Sequence, residues 1–259
     1  MRITTTLLRV RGRYERNVSS HLFKRRLQLR LSRPIVSFSF DDFPKNALTA
    51  GGTILRRHGV VGTYYASLGL MGQVVPTGLM FDSDDLAQLN DEGHELGCHT
   101  YSHCHSWDTA SPVFEADIIR NQRALAGLCP DQSFRTFSYP ISNPWPLTKM
   151  RVRGHYRASR AGGQCGNVGV IDLNQLSAFF LEKCQGDFAS IRAIIDRNAA
   201  SCGWLIFATH DVSELPTPYG CTPAFFEAVV EHTIESGAVV LPVGRALDAA
   251  LSSSVTTTS

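Results

Sequence analysis

The sequence predicts an α/β fold organised as one domain around a largely parallel sheet, closed or nearly closed. Three observations lead there. At 259 residues the chain is long for one ordinary domain and short for two, but a single α/β barrel absorbs that length. After Pro34, short apolar runs alternate with helix-like stretches, and no linker or low-complexity segment separates them. Hydrophobic residues make up 43% of the chain, enough for a protein of this size to bury roughly three quarters of its unfolded surface. That composition excludes disordered, fibrous and coiled-coil classes.

The first segment is a basic arm, residues 1–33. Ten Arg and Lys up to position 34 face only Glu15, a local charge of +9, while the remaining chain carries −7. The plainest expectation is a loosely docked leader; contact with an anionic membrane surface or an acidic substrate is the alternative. Leu7 and Leu8 are the only apolar pair before the arginines resume, so no secretory signal is read, and an Arg-rich, acid-poor start also resembles a transit peptide. Nothing in the chain is long and apolar enough to span a bilayer: the stretch from Gly59 to Phe81 is uncharged but broken by five glycines. Seven cysteines without a CxxC pair suggest reduced thiols and a cytoplasmic body.

The alternating segments follow in order. Strands are predicted over Ile35 to Phe40, Gly62 to Ala66, His94 to Cys98, Thr136 to Tyr139, Tyr156 to Ser159, Trp204 to Thr209 and Ala238 to Leu241. Helices are predicted over Ala47 to His58, Asp84 to Asp91, Pro112 to Leu128, Phe188 to Ala200, Pro223 to Glu235 and Gly244 to Leu251. Ser111 before Pro112 reads as an N-cap with a first-turn proline, and Gly59, Gly93 and Gly237 stand where helices stop. Residues 252–259 read as a polar tail without packing signals.

Three strand ends carry chemistry-bearing residues. HELGCHTYSHCH places four of the nine histidines, His94, His99, His103 and His105, in 12 residues. His99 and His103 are four apart, so a helical turn after the strand puts both imidazoles on one face, where they can share a metal. In IVSFSFDD, Ser37, Ser39 and Asp41 face one way and Val36, Phe38, Phe40 and Asp42 the other. Small serines then line a narrow barrel and Asp41 points into its mouth, where Asp42 joins it only if the chain bends. Adjacent carboxylates repel, which a metal relieves; the same pair could instead cap a helix near Pro44. His210, in WLIFATHDV, stands where a buried strand emerges, either as a proton donor suited to neutral pH or as a simple strand cap.

These pieces, in this order, resemble the polysaccharide deacetylase family, the NodB-homology domain of carbohydrate esterase family 4. Its first motif, TFDDG, stands here as SFDDF (Ser39 to Phe43), its second, His-[Ser/Thr]-x-x-His, as HTYSH (His99 to His103), and its fifth as LIFATH (Leu205 to His210). The resemblance covers Pro34 to Leu247, which puts the catalytic domain at residues 34–251. It implies a distorted (β/α)7 barrel. It also implies a divalent metal, most commonly zinc, with cobalt, nickel or manganese able to serve, held by Asp42, His99 and His103. Asp41 would be the general base and His210 the general acid. Two imidazoles and one carboxylate leave coordination positions open, as catalytic sites do, and water beside such a metal becomes acidic enough to lose a proton near neutrality.

The third motif departs from the family: FRPPYG or FAYPYG reads FSYPIS (Phe137 to Ser142). The family's oxyanion donor becomes the Ile141 N–H, whose function needs no particular side chain. Ser138 stands at the arginine position, leaving Asp41 without its usual partner; Arg160 is offered as a substitute. The fourth-motif acid that supports the histidine is open between Asp172 and Asp211. Cys98 and Cys104 read as small core residues, His105 as outside the ligand set, AGGQCGNVG (Ala161 to Gly169) as an active-site loop or turn, and Trp107, Pro144 and Trp145 equally as sugar-stacking or packing residues.

The reading is therefore a metal-dependent hydrolase that removes an acetyl or formyl group from an N-acylated sugar, polymer or lipid-linked glycan, with no nucleic-acid partner. Two rivals stand beside it: a hydrolase of a small amide or cyclic imide on the same fold, and a catalytically silent sugar-binding protein. A basic arm without a signal suits a cytoplasmic, membrane-associated enzyme.

Overall fold

The computed structural model describes residues 2–141, 143–184 and 187–255, with side chains described from Val10 to Ser253. Seven parallel strands close into a ring: β1 (Ile35–Phe40), β2 (Thr63–Ala66), β3 (Glu95–Cys98), β4 (Phe137–Ser138), β5 (Ser159–Gly162), β6 (Leu176–Phe180) and β7 (Trp204–Thr209). β7 returns to β1 over six register pairs, Trp204↔Ile35 to Thr209↔Phe40. An eighth short strand, β8 (Val239–Val240), pairs with the start of β1 outside the ring. β4 is the shortest stave of the (β/α)7 ring, only two residues long.

The alternation in β1 sorts side chains as its sequence demands. Ser37 and Ser39 face inward, Ser37 Oγ accepting from Trp204 Nε1 (3.0 Å) and Ser39 Oγ donating to the Phe207 carbonyl (2.7 Å). Small residues are required there because the Trp204 indole, fully buried, fills the barrel interior with Ile206, Ala208 and Ala178. Phe38 and Phe40 face outward against Phe226, at ring distances of 5.6 Å.

Among the described residues, eight α-helices surround the barrel: α1 (Arg2–His21), α2 (Thr53–Arg57), α3 (Ser83–Asp91), α4 (Ser111–Leu128), α5 (Pro146–Val152), α6 (Phe188–Ser201), α7 (Pro223–Glu235) and α8 (Val243–Val255). The predicted helix over Ala47 to His58 divides into a π-helical turn, Ala47–Gly52, and α2. Gly59, Gly93 and Gly237 do end helices, each with φ between 65° and 75°. Ser111 is not the N-cap of α4: Ala110 holds that place, and Ser111 is turned inward to Thr148 (3.0 Å). α8 seats Val243, Ala246, Leu247 and Ala250 on the inner cluster, and its free amides are satisfied from the strand starts. There Glu95 accepts from Gly244 N–H (2.8 Å) and Thr63 Oγ1 from Val243 N–H (2.9 Å).

Several expectations are corrected. The strand expected over Tyr156 to Ser159 lies at Ser159–Gly162, because Tyr156 is spent packing on Phe137 (5.4 Å) and the strand carries the inward Arg160 instead. Sequence periodicity missed β6, α5 and the short strand Val170–Asp172, whose polar punctuation (Asp172, Asn174) reads as loop.

The arm is not loose. Its first part is α1, and Arg26–Gln28 pairs antiparallel with Val170–Asp172. α1 is held by Arg11 to Asp108 (2.8 Å), by Tyr14 edge-on to Trp107 (5.9 Å) and by Lys149 Nζ donating to the Ser19 carbonyl (3.0 Å). Part of the expected polar tail is helical, since α8 runs to Val255; residues 256–259 lie outside the described residues.

Candidate active site

The carboxyl ends of the strands open into a cavity of about 820 Å³. β1 remains strand-like through Asp41, whose N–H donates to the Thr209 carbonyl (2.9 Å). The chain then turns through two left-handed residues, Asp42 and Phe43, both at φ 63°. This bend brings Asp42 to the cavity beside Asp41, although simple alternation would have faced them apart. Non-glycine residues pay for such a conformation with strain that surrounding packing must hold. Phe43 supplies that anchor, fully buried with its ring 4.7 Å from Phe81 and 4.9 Å from Tyr64.

His99 follows β3, and its Nδ1 lies 2.8 Å from the Ser138 carbonyl. A carbonyl only accepts, so Nδ1 carries the proton and the Nε2 lone pair is left for a metal. The expected helical turn to His103 is absent. Left-handed residues at Thr100 (φ 61°) and His103 (φ 54°) fold a loop instead, pinned by the Asp117 carboxylate accepting from the Tyr101 and Ser102 amides (3.0 and 2.9 Å). The loop nonetheless brings both Nε2 atoms to Asp42 Oδ1, at 3.5 Å from His99 and 3.0 Å from His103.

The three ligand atoms lie within 4.8 Å of one another. Asp42 Oδ1 is buried without a hydrogen bond, while Oδ2 accepts from Thr77 Oγ1 (2.9 Å). A buried, unsatisfied carboxylate oxygen facing two imidazole lone pairs, with the outer atoms of Asp42 and His99 already oriented, fits a divalent cation. Burial pushes His99 down to about 4, so its ring is neutral at pH 7. Burial opposes ionisation of Asp42, but the close approach and charge of His103, then His99, hold its carboxyl well below the usual range. His103 is raised: burial lowers it, and Asp42 more than restores it.

Arg160 reaches Asp41 from β5, its NH2 group donating to Asp41 Oδ1. The guanidinium lies 4.4 Å from the Tyr65 ring centre, and both charged side chains are essentially excluded from solvent. Burial pushes the Asp41 carboxyl up, and Arg160, aided by His99 and His210, brings it below its ordinary value.

His210 emerges from β7 beside Phe180 (6.1 Å, stacked) and Tyr219, whose carbonyl lies 3.1 Å from Nδ1. By the same logic as for His99, this leaves Nε2 to serve the cavity, which His210 lines. Neither expected supporting acid touches it. Asp211 accepts from the Thr217 amide (2.9 Å), and Asp172 is bound to Lys149 (2.6 Å). Sequence reading missed Glu182, just after β6: it lines the cavity, its Oε2 is buried without a partner, and burial pushes its carboxyl up to about 7, with His210 pulling it back.

Ile141, a β-branched residue at φ 70°, exposes its side chain at the cavity edge, and its N–H is not spent on a hydrogen bond among the described residues. Ser142 lies outside the described residues.

Residues 29–153 match the polysaccharide deacetylase family, a span that contains Asp41, Asp42, His99, His103 and the third-motif segment. That part of the chain is similar to the family, and it spans just under half of the sequence. Solved structures agree in fold. The chitin deacetylase of the fungal pathogen Colletotrichum lindemuthianum superposes with a TM-score of 0.58 at 16% identity, covering 85% of this chain and 89% of that one. The family 4 carbohydrate esterase of Streptomyces lividans gives 0.56 at 16%, covering 82% and 93%. A family 4 pseudoenzyme of Bacillus anthracis, BA3943, gives 0.60 at 12%, covering 86% and 68%. No curated protein matches the sequence.

The other candidates fall away from the ligand cluster. Cys98 bonds Asn121 (3.2 Å) and Cys104 approaches Asp117 (3.6 Å); burial raises their thiols to about 11 and about 12, and all seven cysteines are free. His105 pairs with Asp108 (2.6 Å). Trp107 and Trp145 contact each other (4.8 Å) and, through Tyr14, α1, so they anchor the helix rather than line the cavity. Of the glycine-rich segment, Gly162, Gly163 and Gln164 do line the cavity. Among the described residues no helix is long and apolar enough to cross a membrane.

Proposed function

We propose that this protein is a metal-dependent hydrolase that removes an acetyl or formyl group from the nitrogen of an amino sugar, free, polymeric or lipid-linked. The observation that carries the reading is the convergence of Asp42, His99 and His103 within 4.8 Å beside an Arg160-tethered Asp41. Chitin deacetylase and a peptidoglycan N-acetylglucosamine deacetylase share the fold, which supports the substrate class.

Asp42, His99 and His103 would hold the divalent ion, most readily zinc. When bound, that ion acts as a Lewis acid and lowers the pKa of water. Asp41, ionised by Arg160, accepts the proton of the attacking water, with its carboxylate already aimed into the cavity. The Ile141 N–H stabilises the developing oxyanion from the backbone, consistent with an unspent donor held at a strained φ. His210, through Nε2, protonates the departing amine. Glu182, which lines the same cavity and feels the charge of His210, stands as the supporting acid in place of Asp172 or Asp211.

Metal analysis of purified protein, joined to an acetate-release screen on chito-oligosaccharides, tests the reading. Zinc and acetate are expected in the same preparation. Turnover of small amides or imides alone would transfer the chemistry to another substrate. Chito-oligosaccharide binding without release would make the chain a silent relative, as BA3943 is described. Arg13, exposed on α1, and the other basic residues of the arm suit an anionic bilayer, checked by sedimentation with liposomes.

A further inference from the structure

The cavity is not made by the barrel alone. Gly12, Glu15 and Arg16, on one face of α1, line it together with residues of the strand ends. α1 is fastened there by Arg11 to Asp108, by Tyr14 on Trp107, and by Ser19, whose Oγ donates to Gln175 (2.7 Å); Gln175 in turn donates to the cavity-lining Asn143 (2.9 Å). A glycine inside a 20-residue helix costs stability relative to alanine. Here its absent side chain leaves open space at the cavity wall, since a Cβ at Gly12 would meet nothing within 4 Å.

The charges around this space are unequal. Asp41 is matched by Arg160 and Glu15 by Arg11 (2.7 Å), Asp42 belongs to the metal cluster, and Glu182 is driven towards neutrality by burial. Arg16 and Lys183 are exposed at the rim and have no carboxylate partner among the described residues. Lys183 stands 5.0 Å over the Phe180 ring that stacks on His210, which fixes a positive charge near the leaving-group side.

We propose that α1 is a wall of the substrate site and that Arg16 and Lys183 select an N-acyl amino sugar carrying an anionic group, such as a phosphate ester, beyond the reacting amide. The inference rests on the deacetylase reading above and names its substrate class. Two cations from different elements, one facing an emptied helix position, suit a charged substituent better than another neutral sugar ring.

The test compares acetate release from N-acetylglucosamine 1-phosphate with release from the neutral methyl glycoside of N-acetylglucosamine, using zinc-loaded full-length protein. The expected result is a KM about three- to tenfold lower for the phosphate, a preference that shrinks at high salt. R16A and K183A should each narrow that ratio, and R16E should invert it. G12L should raise KM for the phosphate by filling the wall, without lowering thermal stability, because leucine is the better helix former. Equal KM values in the wild type, or a ratio untouched by R16A and K183A, would overturn the inference while leaving the deacetylase reading intact. No acetate from either compound would remove the reading and this inference together.

Discussion

Ser138 and Arg160 are register partners on the adjacent parallel strands β4 and β5, so the guanidinium that meets Asp41 rises from the strand next to the position where the family motif carries its arginine. Register partners on parallel strands stand at the same level and on the same face of the sheet, so a neighbour one strand away can deliver its charge to Asp41. The missing motif residue is thereby replaced in space, not in sequence. The Ser138 carbonyl is meanwhile committed to orienting His99 (2.8 Å).

This relationship predicts the behaviour of Arg160→Ala. Removing one partner of a buried ion pair strands the other, at about 3–5 kcal/mol of stability. Arg160 lowers the Asp41 pKa, so without it that pKa rises, and a base that must be ionised is lost at higher pH. The acidic limb of the kcat/KM profile should move upward in R160A, and R160K should move it less. An unmoved limb would separate Arg160 from the base.

Substitution of the ligand set should abolish metal binding. D42A, H99A and H103A are each expected to purify without stoichiometric zinc and without turnover. Thr77→Val, which deprives Asp42 Oδ2 of its 2.9 Å hydrogen bond, should weaken zinc affinity roughly 10- to 100-fold, read by chelator competition.

His210→Ala should keep its zinc while kcat falls by about 10²- to 10⁴-fold, the range for a lost general acid. Simultaneous loss of metal would assign the histidine to the ligand set instead.

Glu182 gives a stability signature. Its folded carboxyl titrates at about 7 against 4.5 unfolded, so folding favours the protonated form. That contribution is fully present below about 4.5 and is lost as pH rises through about 7. Glu182→Gln should therefore match the wild type at pH 4 and exceed it at pH 8, by on the order of 1–3 kcal/mol in urea unfolding. Parallel stability curves would show that the carboxyl is not held protonated.

How much of this was legible depends on distance along the chain. Ile35–Phe40, Trp204–Thr209 and Pro223–Glu235 have the bounds their patterns predict, because alternation and helical period are local properties. The histidine pair was visible for the same reason, although the turn between His99 and His103 is a left-handed loop and not a helix. Sequence alone offers Arg160 as a partner for Asp41 without fixing it, since 119 positions separate them. Glu182 carried no signal at all: an isolated acid after an unrecognised strand looks like solvent-exposed polarity until burial of its Oε2 is seen.

The sequence by itself determined the alternation of strands and helices, the inward serines of β1, and the residue types able to bind a metal, because each depends on neighbours within a few positions. The tertiary structure alone decided which charge balances Asp41, that Glu182 shares the cavity with His210, and that a basic amino-terminal segment becomes a wall of that cavity. Those outcomes depend on strand order, register and the docking of one helix on Trp107, which Trp145 backs, where contacts join residues with no periodic relation to each other.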